Sequence, residues 1–286
     1  MGYVLINEDI LPKNEVSVDI EDRAYQFGDG AYEVIAVYEG VPFKTEDHLN
    51  RLKYSLDSLS IKIPYELSTL KEKLYELKEK NDLKNGLIYF QVSRGLAKRK
   101  HDFPSDDVMS TLIANTTELA TPSDDVYNKD VKTIVVEDIR WSRCDIKSLN
   151  LLLNVLVKEE ALKNGCYESI MQKDNKITEA SKANVFVMKN GNVYTQPANN
   201  LILNAVTRLT LIDICKILNV SVFEEPFTTK FLKDADEIFL TSSFVDVIPV
   251  SMVDNQEIPI GEVTSKIQNE LSKIIEIKIS KAKNDL

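Results

Sequence analysis

Lys147 stands in the segment Val136–Asn150, VEDIRWSRCDIKSLN, after a β-rich run and just ahead of an apolar helical one, with Arg140, Arg143 and Asp145 close in sequence. Neighbouring cations disfavour the charged form of an amine and so favour the neutral nucleophile that attack on an aldehyde requires. Taken alone, this residue reads as a solvated loop lysine. A second group, Lys98-Arg99-Lys100-His101, offers a guanidinium fork and an imidazole that match a carboxylate, or else a surface patch for a polyanion. Asp102, Asp106 and Asp107 beside it weaken the patch reading. Phe27-Gly28-Asp29-Gly30 is too short for a dinucleotide fingerprint and reads as a turn feeding a strand. The P-loop, the G-x-G-x-x-G fingerprint, G-x-S-x-G and H-E-x-x-H are all missing from the chain, which removes the common nucleotide-binding, hydrolase and metalloprotease readings.

The chain that must position these groups has 286 residues, 43% of them hydrophobic, enough to bury a sizeable core. Its formal net charge of -10 disfavours nucleic acid and anionic membrane surfaces and leaves small solutes as the expected partners. The start, MGYVLINEDI, has no cationic region and meets Glu8 and Asp9 before any long apolar run, so it does not read as a signal peptide. No apolar run reaches the length of a membrane span, and a cytoplasmic protein is expected. Cys144, Cys166 and Cys215 are widely spaced and fit reduced thiols, and His48 and His101 are too few for a histidine-rich metal centre.

Strands are expected at Tyr3–Ile6, Glu33–Tyr38, Leu87–Val92, Ser110–Thr116, Val131–Glu137, Tyr167–Gln172, Val185–Lys189, Val193–Thr195 and Glu237–Thr241. Lys189-Asn190-Gly191-Asn192 supplies a hairpin turn. Leu49, Leu52, Leu56 and Leu59, then Leu67, Leu70, Leu74 and Leu77, recur at helical spacing and predict two amphipathic helices. Further helices are expected over Leu149–Lys163, ended by Gly165, from Thr207 with Leu211, Ile214, Cys215 and Leu218 on one face, and from about Val263. The fold class is α/β, of the α+β type, in two domains: a small one over 1–118, a linker over 119–126 rich in Pro and acidic residues, and a larger one over 127–286.

Several blocks in a fixed order carry a resemblance that runs nearly end to end: EDRAYQFGDGAYEV (21–34), EDHLNRL (46–52), YFQVSRG followed by KRKHDFP (89–104), EDIRWSRCDIKSLNLL, ITEASKANVF (177–186) and PANNLILNAVTR (197–208). Through them the chain resembles the fold-type IV pyridoxal-phosphate enzymes, the class IV aminotransferase family, and within them the aminotransferases of D-amino acids such as D-alanine and D-glutamate. The resemblance implies pyridoxal 5'-phosphate in an interdomain cleft, bound covalently by Lys147, which then serves as base and acid between the substrate alpha carbon and the cofactor. It implies that Glu179 bonds the pyridine nitrogen, with Arg140 in support, and that Arg51, Val206, Thr207 and Ser243 hold the phosphate. Tyr32, Arg99 and His101 are implied to anchor the substrate carboxylate. From the residues alone, Arg51 reads as a cation on the solvated side of its helix, Thr207 as a helix cap and Glu179 as an exposed turn glutamate.

The same resemblance implies a ping-pong exchange with a 2-oxo acid and a homodimer. Lys182, Ala183, Leu153, Phe244 and Val245 depart from the family pattern and put the substrate range in doubt. Alternatives within the fold are a branched-chain L-amino-acid or R-amine aminotransferase or an aminodeoxychorismate lyase; outside it stands a non-catalytic binding protein, against which the joint presence of Lys147 and Glu179 argues.

Overall fold

The computed structural model describes residues 2–63, 65–119, 130–243 and 246–284. The chain divides into two compact units, one made of Met1–Thr121, Ile146–Asn150 and Ala282–Leu286, the other of Pro122–Asp145 and Leu151–Lys281. Of the expected linker 119–126, all but Leu119 lies outside the described residues, as do Phe244 and Val245.

In the first unit the strands are β1 (Tyr3–Ile6), β2 (Asp9–Pro12), β3 (Gly30–Tyr38), β4 (Val41–Pro42), β5 (Gly86–Ser93) and β6 (Thr111–Glu118). They form an antiparallel sheet in the order β2-β1-β6-β5-β3-β4. The helices are α1 (Arg23–Phe27), α2 (Thr45–Ser58) and α3 (Leu67–Lys80). Leucines three and four residues apart fall on one face of a helix, and Leu49, Leu52, Leu56, Leu70, Leu74 and Leu77 accordingly close over Ile35, Ile88, Phe90 and Ala114 of the sheet as one core. Leu59 and Leu67, at the ends of the two stripes, are only partly buried. The short α1 is held by its ends: the Asp22 side chain accepts from the Ala24 amide at 2.8 Å, and Gly28 stops it in a left-handed conformation.

The second unit continues with β7 (Val131–Glu137), α4 (Leu152–Lys163), β8 (Glu168–Lys173), β9 (Lys176–Ala180), β10 (Asn184–Lys189), β11 (Asn192–Thr195), α5 (Val206–Ile217), β12 (Val222–Glu224), α6 (Thr229–Lys233), β13 (Glu237–Ser242), β14 (Asp246–Val253), β15 (Gln256–Glu257) and α7 (Glu262–Asn284). Its mixed sheet runs β12-β11-β10-β13-β14-β7-β8-β9, with β15 on β14. Parallel pairs need a long crossover: α4 connects β7 to β8, and α5 connects β11 to β12. The β10–β11 hairpin closes through Asn190 and Gly191, both at positive φ, as a tight hairpin turn demands.

One helix differs from expectation. The run predicted from Leu149 begins at Leu152, because residues 146–150 belong to the first unit, where their backbone is already bonded to the start of β3. The Tyr32 amide donates to the Lys147 carbonyl and the Leu149 amide to the Gly30 carbonyl, each at 3.0 Å, and Ser148 bridges to Ala31. Gly30 makes this possible. A Cβ there would lie 2.5 Å from the Val92 carbonyl oxygen and 2.8 Å from the Leu149 side chain. Gly30→Ala is expected to lower the unfolding free energy by about 1–3 kcal/mol, read as a fall in the urea midpoint with an unchanged slope.

Candidate active site

In the first unit, β3 presents its side chains alternately to its two faces. Tyr32 goes to one face, stacked on Tyr89 with ring centroids 5.7 Å apart, and the Lys147 ammonium lies 4.2 Å from the centre of the Tyr32 ring. Such a cation–π contact is attractive but leaves the amine accessible to chemistry. Among the described residues Lys147 has no ion pair, while its backbone amide is fixed by the Ser55 hydroxyl at 3.1 Å. Tyr89 donates to Gln91 Oε1 at 2.8 Å; burial and the neighbouring Tyr32 push its phenol up to about 12, so it remains a donor at neutral pH.

Glu33 goes to the opposite face and is completely buried. Its carboxylate receives Arg51 Nε at 2.7 Å and a terminal Arg51 nitrogen at 2.9 Å, and His48 Nδ1 lies 2.8 Å away. His48 and Arg51 are one turn apart on α2, so one helix face supplies both partners. Burial works against ionisation of Glu33, but the charge and hydrogen bonds of Arg51, aided by His48, overcome it and hold the carboxyl at about 2. His48 is pushed down by its own burial against the pull of Glu33. Arg51 is therefore not on the solvated side of its helix: its side chain is 10% exposed.

Arg99 and His101 are exposed and meet on Phe27. The Arg99 guanidinium lies 4.5 Å from the Phe27 ring centre and donates to the Gln26 carbonyl at 3.0 Å; the His101 ring sits 5.7 Å from the same ring. The structure brings these two together but gives neither a hydrogen bond nor a ring contact to Tyr32.

The second unit builds a buried array around Glu179. Asp138 follows β7 directly, β7 pairs with β8 and β8 with β9, so the ladder sets Asp138 beside Thr178 and Glu179. The Thr178 hydroxyl donates to Asp138 at 2.7 Å. Arg140 grips Asp138 with two nitrogens, at 2.9 and 2.7 Å, and reaches Glu179 Oε1 with a third at 2.6 Å. Glu179 Oε2 accepts from Asn184 Nδ2 and from the Leu203 amide, both at 3.1 Å. Burial raises the Glu179 carboxyl above its ordinary range although Arg140 opposes it, whereas Asp138, with the larger share of the guanidinium, is held below. Arg143, expected to act on Lys147, pairs instead with Asp145, and Arg140 is committed to its two carboxylates.

Val206 and Thr207 open α5, and both are buried. The helix has no side-chain cap at Ala205, so its first amides and the Thr207 hydroxyl are available to an anion at the positive end of the dipole. Ser243 lies in the turn after β13 and is half-buried. Of the departures from the family pattern, Lys182 places its ammonium 5.6 Å from the Tyr167 ring centre, and the Ala183 carbonyl accepts from the Ala180 amide at 2.7 Å. Glu33, His48, Asp138, Thr178 and Asn184 were not legible as site residues. Their roles come from partners far off in sequence, and no local signal marks them. Among the described residues, no group of His, Cys, Asp and Glu could hold a metal, and no helix is long and apolar enough to cross a membrane.

Comparisons with known proteins bear on this array. The model of the amino-transferase class IV family matches residues 30–253. A D-alanine aminotransferase of Staphylococcus haemolyticus is 40% identical over 283 residues, covering 98% of this chain and 100% of that one. The branched-chain amino acid aminotransferase of Escherichia coli superposes with a TM-score of 0.87 at 23% identity, over 93% of this chain and 92% of that one. The branched-chain aminotransferase of the thermophilic archaeon Thermoproteus uzoniensis, solved with norvaline, gives 0.87 at 23% identity, over 97% and 95%. At that identity the two solved structures establish the fold alone.

The depressed Glu33 carboxyl carries a stability signature. A carboxyl whose folded value lies below its unfolded one stabilises the protein above about pH 4.5, and that contribution is lost as pH falls toward about 2. Glu33→Gln, which leaves Arg51 uncompensated, is expected to cost about 3 kcal/mol at pH 7 and to flatten the acid limb of a stability profile measured by urea unfolding.

Proposed function

This chain belongs to the amino-transferase class IV family, and on that premise we propose that it transfers the amino group of D-amino acids, of the D-alanine and D-glutamate class, to 2-oxo acids by a ping-pong route using pyridoxal 5'-phosphate. The observation that carries the reading is likeness to a D-alanine aminotransferase over 98% of the chain. The residues fit the cofactor's three chemical demands. One guanidinium between two buried carboxylates leaves a negative charge that a protonated ring nitrogen at Glu179 would balance. The uncapped start of α5 suits a phosphate held by the Val206 and Thr207 amides, the Thr207 hydroxyl, Ser243 and Arg51. Lys147 offers an amine with no carboxylate partner among the described residues.

When bound, pyridoxal phosphate supplies an aldehyde that accepts the amino group and a ring that draws electrons from the alpha carbon. Lys147 Nζ would hold the cofactor until substrate arrives, then take the proton from the substrate alpha carbon and return it at C4′. Glu179 keeps the ring nitrogen protonated, with Arg140 fixing its orientation. Tyr32, Arg99 and His101 bind the substrate carboxylate, and its placement relative to Lys147 selects the D enantiomer. The reading includes a cytoplasmic homodimer and a division of the chain at 119–126. A second reading, a branched-chain L-amino-acid enzyme, would use the same fold and the same cofactor residues.

An absorbance spectrum of the purified protein with pyridoxal phosphate tests both. A visible band that D-alanine bleaches and L-leucine does not, and that Lys147→Ala abolishes, is the expected result; bleaching by L-leucine alone would move the protein to the second reading, and no band would end both. Glu179 gives a further expectation. Its carboxyl is raised in the folded state, so stability falls as pH rises from the unfolded value to the folded one, and the cost is complete above it. Glu179→Gln should therefore unfold at the same or a higher temperature than wild type when free of cofactor at pH 7, while turnover falls by about 10²-fold or more.

A further inference from the structure

The turn Phe27-Gly28-Asp29-Gly30 contains a carboxylate that the proposed reaction does not use. Asp29 accepts from Arg94 Nε at 2.8 Å and from a terminal Arg94 nitrogen at 3.0 Å, and from Arg23 Nε at 2.8 Å. Both arginines are buried, at 9% and 4% exposure. Burial opposes the ionisation of Asp29, but its bonds to Arg94 and Arg23 prevail and keep it an anion.

Arg23 spends its other donors on the exposed segment 98–103, and Arg94 meets that segment through the Phe103 ring. Arg23 donates to the Lys100 carbonyl at 2.9 Å and to the Asp102 carbonyl at 3.4 Å, the two residues that flank His101. Arg94 is tied to the end of α2 through the Ser60 and Leu59 carbonyls, at 3.0 and 2.8 Å, and its guanidinium lies 3.7 Å from the Phe103 ring centre. The Gln26 side chain donates to the Ala97 carbonyl at 3.3 Å, and Arg99 returns a bond to the Gln26 carbonyl. An exposed segment otherwise has little to hold it in one conformation; here Arg23, oriented by the partly buried Asp29 carboxylate, bonds its backbone on both sides of His101.

We propose that Asp29 is a positioning residue for substrate recognition: through Arg23 and Arg94 it holds the 98–103 segment so that Arg99 and His101 meet the substrate carboxylate in a preset geometry. The inference rests on the reading of Arg99 and His101 as the carboxylate anchor. Without the Asp29 charge, two buried guanidiniums lose their shared anion and repel, and the Arg23 bonds to the Lys100 and Asp102 carbonyls loosen.

Steady-state kinetics of the cofactor-loaded full chain with D-alanine test this. Asp29→Asn is expected to raise KM about tenfold while kcat stays within about twofold. Arg99→Lys should raise KM too, and in that background Asp29→Asn should add less than about twofold, because both changes disable one anchor. A KM within about twofold of wild type for Asp29→Asn, or effects that multiply in full, overturns the proposal. If Asp29→Asn does not fold, Arg23→Lys decides, since it keeps a cation near Asp29 but shortens the reach to the Lys100 carbonyl: the same rise in KM alone supports the proposal, and an unchanged KM overturns it. An active Arg99→Lys enzyme with unchanged KM removes the anchor reading itself, and this proposal with it.

Discussion

An ionised carboxylate cannot leave water without partners that replace its hydration, and the second unit is organised around meeting that demand at Glu179. β9 delivers Glu179, the end of β7 delivers Asp138, and the loop ahead of α5 delivers the Leu203 amide and the Leu201 carbonyl that Arg140 also touches. Asn184, at the head of β10, bonds both Glu179 and the Leu203 carbonyl, so strand and loop are locked through one amide side chain. The arrangement is nearly but not fully balanced. A single guanidinium serves two carboxylates, and the one with the smaller share keeps a raised affinity for protons.

The first unit solves the same problem differently. Glu33 receives two bonds from Arg51, with His48 beside it, and is held as an anion inside the protein. There one guanidinium meets one carboxylate within the unit. The pair ties α2 to β3, while the triad of one guanidinium and two carboxylates keeps a surplus of negative charge. Desolvation acts on both carboxylates, and the number of guanidinium bonds per carboxylate decides which way each one shifts.

Periodic signals were readable in the sequence and non-local ones were not. The leucine stripes of α2 and α3, the Asn190-Gly191 hairpin and the start of α5 were legible because each rests on spacing or turn chemistry within one short stretch. The helix start misread at Leu149 has the opposite origin, since Leu149 looks helical by composition but is paired to Gly30 across the sheet. Short strands such as β2, and β14 with its internal Pro249, carry too few alternating residues to announce themselves. In the site, the family blocks pointed to Lys147, Glu179, Arg51 and Thr207, yet nothing local marks Asp138 or Glu33, whose significance is their partners. Arg51 was open between a solvated cation and an anion ligand, and only its burial against Glu33 removes the first option.

The segment around Lys147 also bears on how the protein comes to be made. Its pairing with the first residues of β3 joins positions separated by most of the first unit and by β7, and contacts of such long range are slow to form because the intervening chain must close first. On the ribosome the N-terminal sheet emerges well before the strip that completes it, so for a time the start of β3 lacks the backbone partners that residues 147–149 will provide. Lys147 is thus among the late additions to its own unit, and a nascent chain has most of that unit's sheet built before residues 147–149 join it.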